Sequence, residues 1–154
     1  MVSQNKILII LIFVIFLAGC TSQAETENLT GNTTTQTASE VEKVEIIHFH
    51  GTNQCYSCIT VGAYAEETVN TYFADELKNG KVSFAHINID LPENKEIVMK
   101  YGATGSSLWI GIYYKNNTFY KKANSNVWYK INNKEEYMSY LKGIIDKRLI
   151  GDLS

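Results

Sequence analysis

The sequence predicts an α/β domain over residues 41–154, a three-layer arrangement with a central mixed sheet flanked by helices. Three observations carry this. Strand-like and helix-like runs follow one another in the order β-α-β-α-β-β-α. The early βαβ portion implies parallel strands joined by a right-handed crossover, and the later hairpin adds an antiparallel edge. A cysteine pair, Cys55-Tyr56-Ser57-Cys58, falls between the first strand and the first helix.

The first strand is Val44-Glu45-Ile46-Ile47-His48-Phe49, rich in β-branched and aromatic residues. After a short loop that takes in His50, a long helix is expected over residues 56–77. Val61, Tyr64, Ala65, Val69, Tyr72 and Phe73 recur there at helical spacing, and Asn79-Gly80 stops it. Residues 82–89 read as the second strand and residues 93–101 as a short helix ended by Gly102. Residues 107–114 form a third strand, turned by Asn116-Asn117 into Thr118-Phe119-Tyr120-Lys121-Lys122. A short strand is expected over residues 128–131. The last helix, residues 134–149, sets Tyr137, Tyr140, Leu141, Ile144 and Ile145 on one face. Most of the ten tyrosines thus stand at core-facing positions, and the sequence has no internal repeat.

Ahead of the domain lies an export signal. Lys6 supplies a positive region, and residues 7–18 are an unbroken apolar run followed by Gly19 and Cys20. The run is about a dozen residues, whereas a spanning helix needs about 20. Leu17-Ala18-Gly19-Cys20 resembles a lipobox, which implies cleavage before Cys20 and a lipid on its thiol. An uncleaved anchor helix is the other reading, and either one exports the domain. Residues 21–40 are rich in Thr, Ser, Asn, Gln and Glu, and they are expected to be a flexible tether. The expected location is the extracytoplasmic face of the cell membrane. The net charge of -2 gives no basic footprint for nucleic acid.

Three cysteines leave Cys55 and Cys58 as a pair once Cys20 is lipidated, in a compartment that permits disulfides. At a helix start, positions i and i+3 share a face, so the two sulfurs can bond. Cys55 lies where free N–H groups and the helix dipole stabilise a thiolate, so it suits the nucleophile. Cys58, one turn inside, suits the resolving thiol. Other readings of the same residues stand beside this one. The pair could be a structural disulfide, although a loop so short gains little stability. His48 and His50, two apart on a strand, face one way. With Cys55 and Cys58 they offer a Cys₂His₂ set for zinc or copper, as in a metal-binding or metallochaperone module. A non-enzymatic adaptor is the third class. His86 reads as a satisfied core histidine ahead of a proton donor. No cofactor is expected.

The element order and the Cys-x-x-Cys position resemble the thioredoxin-like superfamily over most of the domain. Ala85-His86-Ile87-Asn88-Ile89-Asp90 looks like that family's second core strand. Lys100-Tyr101-Gly102-Ala103-Thr104-Gly105 looks like the turn before its substrate-binding loop. A narrower similarity, through His50-Gly51 and Tyr72-Phe73-Ala74-Asp75-Glu76-Leu77, is to small prokaryotic thioredoxin-like proteins. Some of those carry the name of a nitrophenyl-compound nitroreductase subunit. The resemblance implies a thiol–disulfide oxidoreductase whose partners are protein thiols or disulfides. Two departures stand out. The family's cis-proline position falls on Ser107, where a cis bond would cost about 2.5–4 kcal/mol, so a trans bond is expected. That loop normally pairs with substrate backbone and keeps metals off the dithiol. The family's buried Asp–Lys pair is also replaced, with His86 at the lysine position and Phe49 or a neighbour at the aspartate position.

Overall fold

The computed structural model describes residues 40–154. The expected signal run of residues 7–18, the expected lipidation at Cys20 and the expected tether all fall at or before residue 39, outside the described residues. The elements are β1 (Val41–His50), α1 (Tyr56–Tyr72), α2 (Ala74–Lys78), β2 (Val82–Asn88), a 3₁₀ turn (Pro92–Asn94), α3 (Lys95–Tyr101), β3 (Ser107–Tyr114), β4 (Phe119–Ala123), a second 3₁₀ segment (Ser125–Lys130) and α4 (Lys134–Leu149). Among the described residues no helix is long and apolar enough to cross a membrane.

The sheet runs β2-β1-β3-β4. β1 is parallel to β2 and antiparallel to β3, and β4 closes the hairpin on β3. This is the expected mixed sheet. β1 and β3 are interior strands, so their backbone groups are paired on both sides.

Alternation along β1 splits its side chains between two layers. Val44, Ile46 and His48 face α1 and α4, where Val61, Ala65, Val69, Phe73, Tyr137, Leu141 and Ile145 complete the larger core. Ile47 and Phe49 face α3 and pack with Tyr101 and Ala103. Glu45, also on that side, accepts from the hydroxyls of Tyr101 (2.8 Å) and Tyr113 (2.7 Å). Burial raises the Glu45 carboxyl pKa, but those two hydroxyls and Lys43 outweigh it and hold it below its usual range.

Three expectations are corrected. The helix of residues 56–77 is broken at Phe73, whose backbone leaves the helical region. Asp75 and Glu76 then begin α2 and Lys78 ends it, charges that suit a separate short helix. Of the six residues expected on the α1 core face, Tyr72 is exposed and Tyr64 only half-buried. Residues 128–131 are not a strand. Val127, Trp128 and Ile131 all meet the larger core, and successive residues of a strand cannot share a face. β1 also starts three residues earlier than expected and takes in His50, because Val41 pairs with Tyr114 of β3, the Lys115 N–H donates to the Glu40 carbonyl, and His50 pairs with Asn88 of β2.

Candidate active site

The site is built where β1 ends. Residues 51–55 turn the chain from β1 into α1, and the end of β2 ties that turn down. Asp90 Oδ2 accepts from the Thr52 N–H at 2.7 Å, and Asn88 Nδ2 donates to Thr52 Oγ1 at 3.0 Å. Ile89 N–H donates to the His50 carbonyl at 2.8 Å. Cys55 then caps α1. Its backbone is extended, its carbonyl accepts from Ile59 N–H at 3.1 Å, and its Sγ accepts from Cys58 N–H at 3.1 Å.

Cys55 and Cys58 are joined by a disulfide, with Cα atoms 5.1 Å apart. Cys55 is exposed and Cys58 half-buried, the asymmetry expected of attacking and resolving thiols. No acidic residue stands in the first turn of α1, so nothing offsets the positive potential of its free N–H groups. A thiolate on Cys55 would gain from that potential and from the Cys58 N–H. Tyr56 and Ile59 are exposed apolar side chains flanking the disulfide.

A disulfide-bearing strand–helix junction on this sheet order decides the fold. The fold is thioredoxin-like. No family model matches this chain, and no curated protein does. Solved structures are similar to it at low identity. The Trx4 domain of ERdj5 is 13% identical with a TM-score of 0.44, over 69% of this chain and 82% of that one. A thioredoxin from Thermus thermophilus is 15% identical with a TM-score of 0.44, over 68% and 75%. Human ERp44 in a zinc-bound form is 16% identical with a TM-score of 0.44, over 77% of this chain and 30% of that longer one.

Behind the disulfide the three histidines of the chain come together. His48 and His50 stack with ring centroids 5.4 Å apart, so they do share a face. His48 is paired in register with His86 of β2, and their Nδ1 atoms lie 3.0 Å apart. The core histidine is therefore His48, only 1% exposed, and not His86. β2 is an edge strand, so His86 stays open to water, with Nε2 3.3 Å from Glu66 Oε2. Burial, then the neighbouring His86 and His50, depress the His48 pKa from 6.5 to about 4, against a smaller opposing pull from the Cys58 backbone. The Cys₂His₂ set is not assembled. His48 turns to His86, His50 Nδ1 lies 2.9 Å from the Gly51 carbonyl, and the two cysteines are bonded to each other. Among the described residues no group of three or more His, Cys, Asp or Glu side chains is placed to hold a metal ion.

Ser107 begins β3 opposite Phe49, and no cis peptide bond occurs among the described residues, as expected. Its hydroxyl donates to the Gly105 carbonyl (3.0 Å) and accepts from the Trp109 indole (3.1 Å), so it is held within its own loop. Phe49 is wholly buried against Tyr101. Sequence reasoning missed Gly62 and Glu66. A Cβ on Gly62 would lie 2.3 Å from His48 Nδ1, so the missing side chain is what lets the imidazole fit beneath α1. A glycine in mid-helix costs about 1 kcal/mol against alanine, and that was the available signal of close packing.

Proposed function

We propose that this chain is a thiol–disulfide oxidoreductase, tethered by a lipid on Cys20 to the extracytoplasmic face of the cell membrane. Cys55 and Cys58 are its redox couple. The observation that carries the reading is the Cys55–Cys58 disulfide at the N-terminus of α1, with its exposed sulfur at the helix cap. A partner thiol or disulfide exchanges with Cys55, and Cys58 then resolves the mixed disulfide. The substrates are protein thiols or disulfides. Tyr56, 80% exposed, and Ile59, 54% exposed, offer apolar surface on which a polypeptide beside its own cysteine could pack. The tether rests on the signal-like run and on Leu17-Ala18-Gly19-Cys20.

The test is trapping. Cys58→Ser in the native, membrane-processed protein should accumulate mixed disulfides through Cys55, and Cys55→Ser should accumulate none. Equal trapping by both variants, or by neither, rejects the assignment. Intact mass of the same native protein reads the anchor, with a lipid adduct beginning at Cys20 as the expected result. A retained Met1 or a free Cys20 thiol rejects the anchor without touching the redox couple.

A further inference from the structure

Asn116-Asn117-Thr118 has the Asn-x-Thr pattern that accepts an N-linked glycan, and the pattern has physical meaning only on an exposed segment of an exported chain. Among the described residues it is the only such triplet, and Asn28-Leu29-Thr30 and Asn32-Thr33-Thr34 lie outside them. The fold sets it at the tip of the β3–β4 hairpin, with Asn116, Asn117 and Thr118 all exposed. The turn accounts for two of the three residues. Asn117 takes a positive φ of 64°, which asparagine tolerates better than most side chains, and its N–H donates to the Tyr114 carbonyl at 2.9 Å. Asn116 Oδ1 accepts from the Thr118 N–H at 3.0 Å, an Asx turn that closes the tip. Thr118 serves the turn through its backbone alone, its carbonyl accepting from the Tyr114 N–H at 3.0 Å. Any residue with an N–H would do as much. The Thr118 hydroxyl forms no hydrogen bond among the described residues, and neither does Asn116 Nδ2. The two groups that the pattern requires are thus the two that the fold leaves to solvent.

We infer that Asn116 is a modification site and carries an N-linked glycan. This goes beyond the oxidoreductase reading but rests on its extracytoplasmic location. The donor is a lipid-linked oligosaccharide, presented by a transferase of the host. Asn116 Nδ2 attacks the anomeric carbon of the donor. The C–N bond forms, the bond from that carbon to the lipid phosphate oxygen breaks, and the electron pair leaves on the phosphate. The amide gives up one proton to the transferase, so charge balances, and nothing is oxidised or reduced. The Thr118 N–H held on Oδ1 stabilises the negative charge that deprotonation puts on that oxygen. The place is compatible with the redox site. Ser107, at one end of β3, pairs with Phe49 near the disulfide, whereas Tyr114, at the other end, pairs with Val41. The eight residues of β3, at about 3.3 Å each, put the hairpin tip roughly 25 Å from the Ser107 end. A bulky glycan on Asn116 therefore stays clear of Cys55 and Cys58, and it shields the tip of the edge strand β4.

The experiment takes the full chain from membranes of the organism that encodes it and digests it with trypsin. Cleavage after Lys115 and Lys121 releases the peptide Asn116–Lys121. That peptide is expected at its own mass plus a series of sugar residues, with fragmentation placing them on Asn116 and not on Asn117. Thr118→Ala, at an exposed position whose backbone bonds persist, is expected to lose the sugars completely. Thr118→Ser, which restores the hydroxyl, is expected to keep them. Recovery of the peptide only at its unmodified mass overturns the inference, and so does a glycan that survives Thr118→Ala. The amino terminus of the same sample reads the location separately. A lipidated Cys20 beside a bare Asn116 removes the glycan and leaves the tethered oxidoreductase standing. A retained Met1 beside a bare Asn116 removes the lipid anchor as well.

Discussion

Gly62→Ala tests how tightly the histidine pair is fitted beneath α1. The new Cβ would stand 2.3 Å from His48 Nδ1, 2.6 Å from His48 Cε1 and 2.9 Å from His86 Cε1. The His48 ring cannot simply retreat, because it is buried on a strand paired on both sides. Overpacking of this kind costs about 1–3 kcal/mol. Separating the two Nδ1 atoms forfeits a further contribution of about 1 kcal/mol. Against these stands the gain of about 1 kcal/mol that alanine brings to a helix interior. The net expectation is a loss of about 1–3 kcal/mol. Urea unfolding followed by the fluorescence of Trp109 and Trp128 would show the midpoint falling by about 1 M, for a slope near 1–3 kcal/mol per molar. In a His48→Ala background the same substitution should cost much less, because the clash has been removed. A midpoint at or above wild type for Gly62→Ala alone would refute the argument, since that is how an unencumbered helical glycine behaves.

Two further outcomes follow from buried groups. The depressed His48 pKa means that the unfolded chain takes up a proton near pH 6.5 while the folded chain does not until about pH 4. That stability is complete above pH 6.5 and is lost as pH falls toward 4, a change of about 3 kcal/mol across the window. Denaturation midpoints at several pH values should show a slope that His48→Leu flattens, and an equal slope in the variant would contradict it. Gly111→Ala would bring a Cβ to 2.0 Å from the Tyr101 hydroxyl, which is held by Glu45 in a buried site. A loss of about 3 kcal/mol is expected from overpacking and the broken hydrogen bond together, and a thermal midpoint unchanged from wild type would refute it.

Period and punctuation made most of the fold legible. The β-branched and aromatic run from Val44 to Phe49 placed β1, the spacing of Val61, Ala65 and Val69 placed α1, and Asn116-Asn117 placed the hairpin of β3 and β4. The misreading of residues 128–131 shows the limit of a short apolar run. Its local composition suits a strand, but the core it must cover asks for Val127, Trp128 and Ile131 on one side. At the site, the cysteine pair and its position were legible because a strand–helix junction confines them. The histidines were visible as residues but not as a cluster. Only the pairing register sets His48 beside His86, thirty-eight positions away, and that register follows from the whole sheet. Gly62 and Glu66 lie on a helix that offers many equivalent surface positions, so their part emerged only with β1 and β2 beneath them.

The Cys55–Cys58 disulfide follows directly on β1, and β1 lies between β2 and β3. Partial openings of a native protein start at frayed ends and weakly held margins, while an interior strand gives way only with the cooperative unit as a whole. Detachment of β4, the short outer strand, therefore leaves β1 and the junction above it in register. Amides of β1 should then exchange with solvent at the rate of global unfolding, and the cysteine pair should keep its geometry in molecules whose outer hairpin strand is momentarily loose. The exposed corner that bears the disulfide thus sits on the part of the chain that yields last.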